Sequence, residues 1–381
     1  MSKPNRSFFR GKRSWSVIKD RVLRSYMPPY LSKVKQLRRP ILLVDCFAGR
    51  GKFDDGKPGS PLIMCQLAEK YAQGLAKCVF VNSVRSDHNA LKKNLDSFIQ
   101  KNIAFPVYGN SQSLLVEVQK AKVNFTLFMY LDPFGLKGCE FGAIKTLLQR
   151  GKQSTEILIN LSMPALHRLA ACNAVARGRG DSAEIHEFHK ILNEVFGGDY
   201  WKDYMFNANL SREKKEQSVV GEYMARLKTA LPYVGSCPVR EKEGAVVKYF
   251  ITFASRHPDA LLLMNDTMCA AYNEYIHEVT AKSLPLLEPA ISDWKASRNS
   301  EKQKLRALVR AVIQTRDGLT RQDVWKSIVE ANFMAFIKAE FLSIVQDLLD
   351  AGEIHSPTVK PTKRLNDNCV LRIGPGQRMA G

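Results

Sequence analysis

Asp132-Pro133-Phe134-Gly135 combines residue types that can present an amine to an electrophile. A carboxylate and a backbone carbonyl accept N–H bonds, and an aromatic face packs on a flat acceptor. Proline stiffens the presentation and glycine leaves room for the substrate. The work asked of such a site is orientation of a nitrogen lone pair. Asp132, Pro133 and Phe134 are therefore the catalytic candidates. The bland reading of the same residues is a structural turn at the end of the apolar run 125–132.

A second constellation is Asp45-Cys46-Phe47-Ala48-Gly49-Arg50-Gly51, entered from the apolar run Ile41 to Val44. Gly49 and Gly51 let the backbone approach a ligand closely, and Asp45 can anchor the turn or face an amino group. Charge attraction and hydrogen bonding there would orient a ligand that already carries a reactive methylsulfonium, S-adenosylmethionine. Asp45, Phe47, Gly49 and Gly51 form the expected cofactor-binding set. A nicotinamide or flavin fingerprint would require the longer G-x-G-x-x-G, which is absent. A phosphate-binding loop is excluded because Phe53, not Ser or Thr, follows Gly51-Lys52.

Asn82, at the end of the next apolar run, is placed at the cofactor ribose, although an amide binds hydroxyls less strongly than a carboxylate. Asn110 is placed at the adenine edge or as a helix cap, and the two roles can coexist. Asp87 is expected to cap a helix, as is Ser60 ahead of Pro61. Asp54 and Asp55 read as a polar rim, and His167 and His257 as structural or peripheral.

The elements that must position these residues alternate. Strands are expected at about 41–45, 77–83, 105–110, 125–132 and 156–160, separated by amphipathic helices. That order predicts a parallel sheet covered on both faces. A helix over 14–37 is expected to break or restart at Pro28 and Pro29. Residues 161–240 read as a helical insertion, with late strands near 232–240 and 246–254 forming an antiparallel edge. From about 299 the pattern becomes helix, helix, helix and short strand, like a winged-helix module. Three regions follow: 1–39 basic and helical, 40–298 holding the sheet, and 299–381.

The chain has 381 residues, 45% hydrophobic, and a formal charge of +20. Residues 1–39 hold 12 Lys or Arg against one acid, Asp20. Such a segment suits phosphates, or is a solvated basic face. No apolar run is long enough for a membrane span. Eight scattered cysteines without C-x-x-C spacing read as reduced core residues of a cytoplasmic protein, and no metal site is expected.

WSVIKDRVLRSYM, DCFAGRGKFDDGKPGSPL, YLDPFG and YFITFASRHPDALLLMNDTM together resemble the three-Cys-motif partner protein family, a methyltransferase-like bacterial group. The resemblance implies a Rossmann-like class I methyltransferase sheet, S-adenosylmethionine as cofactor and a C-terminal winged-helix-like domain. It also implies a neighbouring partner protein that carries three cysteines and is similar to radical adenosylmethionine enzymes. The Asp132-Pro133-Phe134-Gly135 motif resembles the catalytic motif of tRNA guanine dimethyltransferases, which implies Asp132 as the amine-orienting residue. It departs from the Asp-Pro-Pro-aromatic of adenine methyltransferases, and Asn82 departs from the usual acidic ribose ligand. The expected activity is methyl transfer to an exocyclic amine of a base in RNA or DNA. The alternative is a non-catalytic, nucleic-acid-binding partner of a metalloenzyme.

Overall fold

The computed structural model describes residues 14–120, 124–150, 154–172, 175, 178, 182–241, 244–283, 288–316, 318–357 and 366–374. They form two compact units that divide between Leu261 and Leu262, earlier than the expected boundary at 298/299.

The first unit is built on seven strands. These are β1 (Ile41–Asp45), β2 (Ala76–Asn82), β3 (Ala104–Tyr108), β4 (Thr126–Leu131), β5 (Thr155–Ser162), β6 (Tyr233–Val239) and β7 (Tyr249–Ser255). Their order is β3-β2-β1-β4-β5-β7-β6. The first five are parallel, and β7 runs antiparallel to both β5 and β6. This is the mostly parallel, Rossmann-like sheet expected from the sequence. The antiparallel strand, however, lies inside the sheet, and β6 forms the edge.

Alternation along the strands separates two faces. Val44, Met129, Leu131, Ile157 and Ile159 point into a core completed by Trp201 and Tyr223. The other face carries Phe128 and Glu156 and is covered by α1 (Ser14–Val34). Tyr26 packs 6.0 Å from the Phe128 ring and 5.6 Å from Phe253, and its hydroxyl donates to Glu156 Oε2 at 2.6 Å. The helix therefore belongs to the sheet unit rather than to a separate basic segment; residues 1–13 lie outside the described residues. Pro28 and Pro29 do not break α1. Tyr26, Met27, Tyr30 and Leu31 on both sides of them are fully buried, so packing outweighs the missing amide donors.

Helices α2 (Ser60–Ala72), α3 (Arg85–Asn94), α4 (Asp96–Gln100), α5 (Ser111–Lys120) and α6 (Phe141–Leu148) link the parallel strands. The single helix expected over 87–101 divides at buried Leu95, whose ψ of 5° leaves the helical range. The insertion holds α7 (Met163–Ala170), α8 (Ala183–Phe196), α9 (Trp201–Met205) and α10 (Arg212–Lys228). It ends at Lys228, because β6 is part of the sheet. The expected break at 178–180 lies largely outside the described residues.

The second unit begins within α11 (Pro258–Ser283) and contains α12 (Glu288–Thr315), α13 (Arg321–Ala331) and α14 (Lys338–Asp350). A two-stranded hairpin of β8 (Ile354–His355) and β9 (Arg372–Ile373) follows, and Thr320 bridges to Val370. Trp325 stacks on Phe341 at 5.1 Å, and Thr320 and Asp323 form a capping box that starts α13. Asn265 ties α11 to the loop before α14 by donating to Phe336 O at 2.8 Å and accepting from Met334 N at 2.7 Å. All eight cysteines are free, and all but the half-buried Cys172 are buried. Among the described residues no helix is long and apolar enough to cross a membrane, and no group of three or more metal-ligating side chains gathers.

Candidate functional site

Because β1 and β4 are parallel neighbours, their carboxyl ends emerge side by side, with Asp45 opposite Tyr130. The two turns seen in the sequence therefore meet. Cys46 N donates to Tyr130 O at 3.1 Å. The Phe47 ring packs so closely on Gly138, beyond β4, that a Cβ there would come within 2.8 Å of it. Between the turns opens a cleft of about 370 Å³, whose walls include Phe47, Gly49, Gly51, Asp132, Pro133 and Phe134. That volume falls within the ~300–1,000 Å³ typical of small-molecule sites.

Asp45 lies under the first turn, 1% exposed, and does not itself line the cleft. Its carboxylate accepts from Phe47 N at 3.0 Å and from Ser60 Oγ at 2.7 Å. Burial pushes its pKa up to about 7; the bonds from Ser60 and Phe47 oppose the rise, Asp132 adds to it, and Lys19 opposes it. Ser60 thus ties the turn to α2 instead of capping it, since the cap position is Gly59. Gly51 has φ +82°, a left-handed conformation that favours glycine, and its carbonyl accepts from Gly59 N at 2.9 Å.

Two expected cofactor contacts take other roles. Asn82 is spent on the turn itself. Its amide donates to Ala48 O at 2.6 Å and Gly49 O at 3.4 Å, and its oxygen accepts from Val84 N at 2.8 Å. It braces the glycine loop from behind and does not line the cleft. Asn110 is exposed and accepts from Ser113 N and Oγ at 2.9 and 3.0 Å, the cap alternative, also away from the cleft. Asp87, expected as a cap, sits in the first turn of α3 and holds Arg50 Nε at 2.7 Å.

At the second turn Asp132 is held from two sides. Lys19 of α1 donates to Oδ1 at 2.5 Å, and the Tyr130 hydroxyl donates to Oδ2 at 3.1 Å. Burial, followed by the charges of Asp132 and Asp45, pushes the Tyr130 pKa well above its ordinary value, so the phenol keeps its proton. Asn160, a buried polar residue near the end of β5, donates to Tyr130 Oη at 3.2 Å. The Lys19 ammonium also sits 4.5 Å from the centre of the Tyr249 ring. Phe134 is 44% exposed, and the Gly135 N–H turns back to Pro133 O at 2.8 Å.

Lys19, Tyr130, Asn160 and Tyr249 all line the cleft and were not singled out in the sequence. Signals existed for three of them. Lys19 interrupts an apolar helical stripe of Ile18, Val22 and Tyr26. Tyr130 is two residues from Asp132 and shares its strand face. Asn160 ends the apolar triplet Ile157-Leu158-Ile159. His167 pairs with buried Glu216 at 2.7 Å, and neither it nor His257 lines the cleft.

No family model matches the chain, and no curated protein matches it. Solved structures similar to it include protein LPL1258 from Legionella pneumophila, at 9% identity over 68% of this chain and 93% of that one, with a TM-score of 0.41. Another is the O-methyltransferase from Bacillus cereus in complex with SAH, at 11% identity over 59% and 79%, with a TM-score of 0.30. A methyltransferase candidate from Escherichia coli is 21% identical over 35% of this chain, which spans 65% of that protein's length, with a TM-score of 0.25. These likenesses are distant, and the chemistry rests on the chain's own residues.

Proposed function

We propose that the chain is an S-adenosylmethionine-dependent methyltransferase whose acceptor is an exocyclic amine of a nucleic-acid base. The observation that carries this reading is the single cleft between the Asp45 turn and Asp132. The residues fit the cofactor's demands. A buried carboxylate stands under a glycine turn suited to an amino-acid moiety, and Phe47 supplies an apolar wall. When bound, S-adenosylmethionine supplies an electrophilic methyl group. Asp45 would face the ligand's ammonium, directly or through water, while Gly49 and Gly51 allow close approach. Asp132 would accept an N–H of the incoming amine, with Lys19 and Tyr130 fixing the carboxylate's direction. Phe134, exposed at the rim, would cover the base.

The formal charge of +20 supports a polyanionic acceptor. The second unit, with three helices, a hairpin and the Thr320–Val370 bridge, is read as winged-helix-like and as a nucleic-acid contact. A three-Cys partner protein remains a proposal from the resemblance alone, and the reduced cysteines favour a cytoplasmic setting. The test is incubation with methyl-labelled cofactor and separate pools of RNA, DNA and protein. Label on a base amine supports the reading; label confined to protein overturns it.

A further inference from the structure

The hydrogen bonds around Tyr130 leave one buried acceptor, on a residue that lines the cleft, unaccounted for. Tyr130 gives its only proton to Asp132, so the Asn160 group facing the phenol must be the donor, its NH2. That fixes the amide: Oδ1 points away from the phenol. Asn160 is 3% exposed and lines the cleft, and its Oδ1 has no hydrogen-bond partner among the described residues. A buried acceptor of this kind is costly unless a donor reaches it. The Pro133 carbonyl accepts the Gly135 N–H at 2.8 Å and keeps a second lone pair.

We infer that Asn160 Oδ1 is the second acceptor for the attacking amine, so that the site demands a primary amine and stops after one methyl transfer. The inference rests on the methyltransferase reading above. A primary amine has two N–H groups, one for Asp132 and one for Asn160, and this pairing turns its lone pair toward the methyl donor. The lone pair forms the N–C bond as the C–S bond breaks; sulfur keeps that electron pair, and the nitrogen then releases a proton to water. The product retains a single N–H. On re-entry it would leave one acceptor unpaired and set a methyl group against it, which slows a second transfer about 10- to 100-fold. The motif's resemblance to dimethyltransferases implies two transfers, so the two arguments part at an observable point.

The test uses the full chain, methyl-labelled cofactor and total RNA or total DNA, with products digested to nucleosides and resolved by mass. Wild type should yield monomethylated amine only. Its product, presented again, should react at least about 10-fold more slowly than the unmodified acceptor. Asn160→Ala should slow the first transfer about 10-fold and narrow the preference to within about 3-fold, with unchanged S-adenosylhomocysteine affinity by calorimetry. Dimethylated nucleoside from wild type at a comparable rate, or an Asn160→Ala variant that keeps the preference, overturns the inference and leaves the methyltransferase reading standing. Label on oxygen or ring carbon, or on no base, removes both. The wild-type comparison needs no variant to fold.

Discussion

At the scale of single residues, two carboxylates differ in their surroundings. Asp45 is buried beneath a turn and its pKa is raised to about 7, whereas Asp132 is tied to a cation and a phenol. In the proposed function, the ionised form of Asp45 is the one that would attract a ligand ammonium. Lowering the pH through 7 protonates it, so S-adenosylhomocysteine affinity should fall about tenfold per unit below that point. Calorimetry across about pH 5.5–8.5 measures this, and Asp45→Asn should give a weaker, flat profile. Lys19→Met removes the clamp on Asp132 and also a charge that opposes the raised pKa of Asp45. Measured above about pH 8, where Asp45 is ionised, it should lower kcat at least about 10-fold with little change in cofactor affinity. The positions of Asp45 and Asp132 at the ends of parallel strands were legible because each ends an apolar run before a distinctive turn. The roles of Lys19 and Asn160 were not, because 113 residues separate Lys19 from Asp132 and only the assembled sheet brings them together.

Among the elements, α1 contributes most to the site beyond the sheet itself. The sequence marked its apolar stripe but also suggested a break at the prolines and a separate basic segment. Local rules about proline could not anticipate Phe128 and Phe253 as packing partners on distant strands. The five parallel strands were legible from apolar runs alone. The place of β7 between β5 and β6 was not, since strand order is set by non-local pairing. Where α1 meets the sheet, burial pushes the Glu156 pKa up to about 8 against the opposing hydrogen bond from Tyr26 and the Lys33 charge. Relative to an ordinary value of 4.5 this is a raised pKa. The folded state therefore holds a proton that the unfolded chain has lost. Its stabilising contribution is full below about pH 4.5 and declines as pH rises through 8. Glu156→Gln should flatten that decline and raise stability at pH 8, read by denaturant titration at several pH values.

For the whole molecule, charge and composition spoke plainly while the arrangement of units did not. The boundary falls inside one long helix, within the apolar run Ala260–Met264. A formal charge of +20 predicts that association with nucleic acid is driven by counterion release. Binding to a mixed RNA pool should weaken about 10³-fold between 50 and 200 mM salt if about six phosphates are contacted. Fluorescence anisotropy gives the slope, and a salt-independent affinity would remove the electrostatic argument for the acceptor. The central claim is that both turns serve one reaction in one cleft. Methyl transfer to nucleic acid by wild type and Asp132→Ala, with cofactor affinity measured on the same preparations, tests it most directly. A rate loss of at least about 100-fold with affinity held within about threefold is the predicted result; equal rates for the two proteins would contradict it.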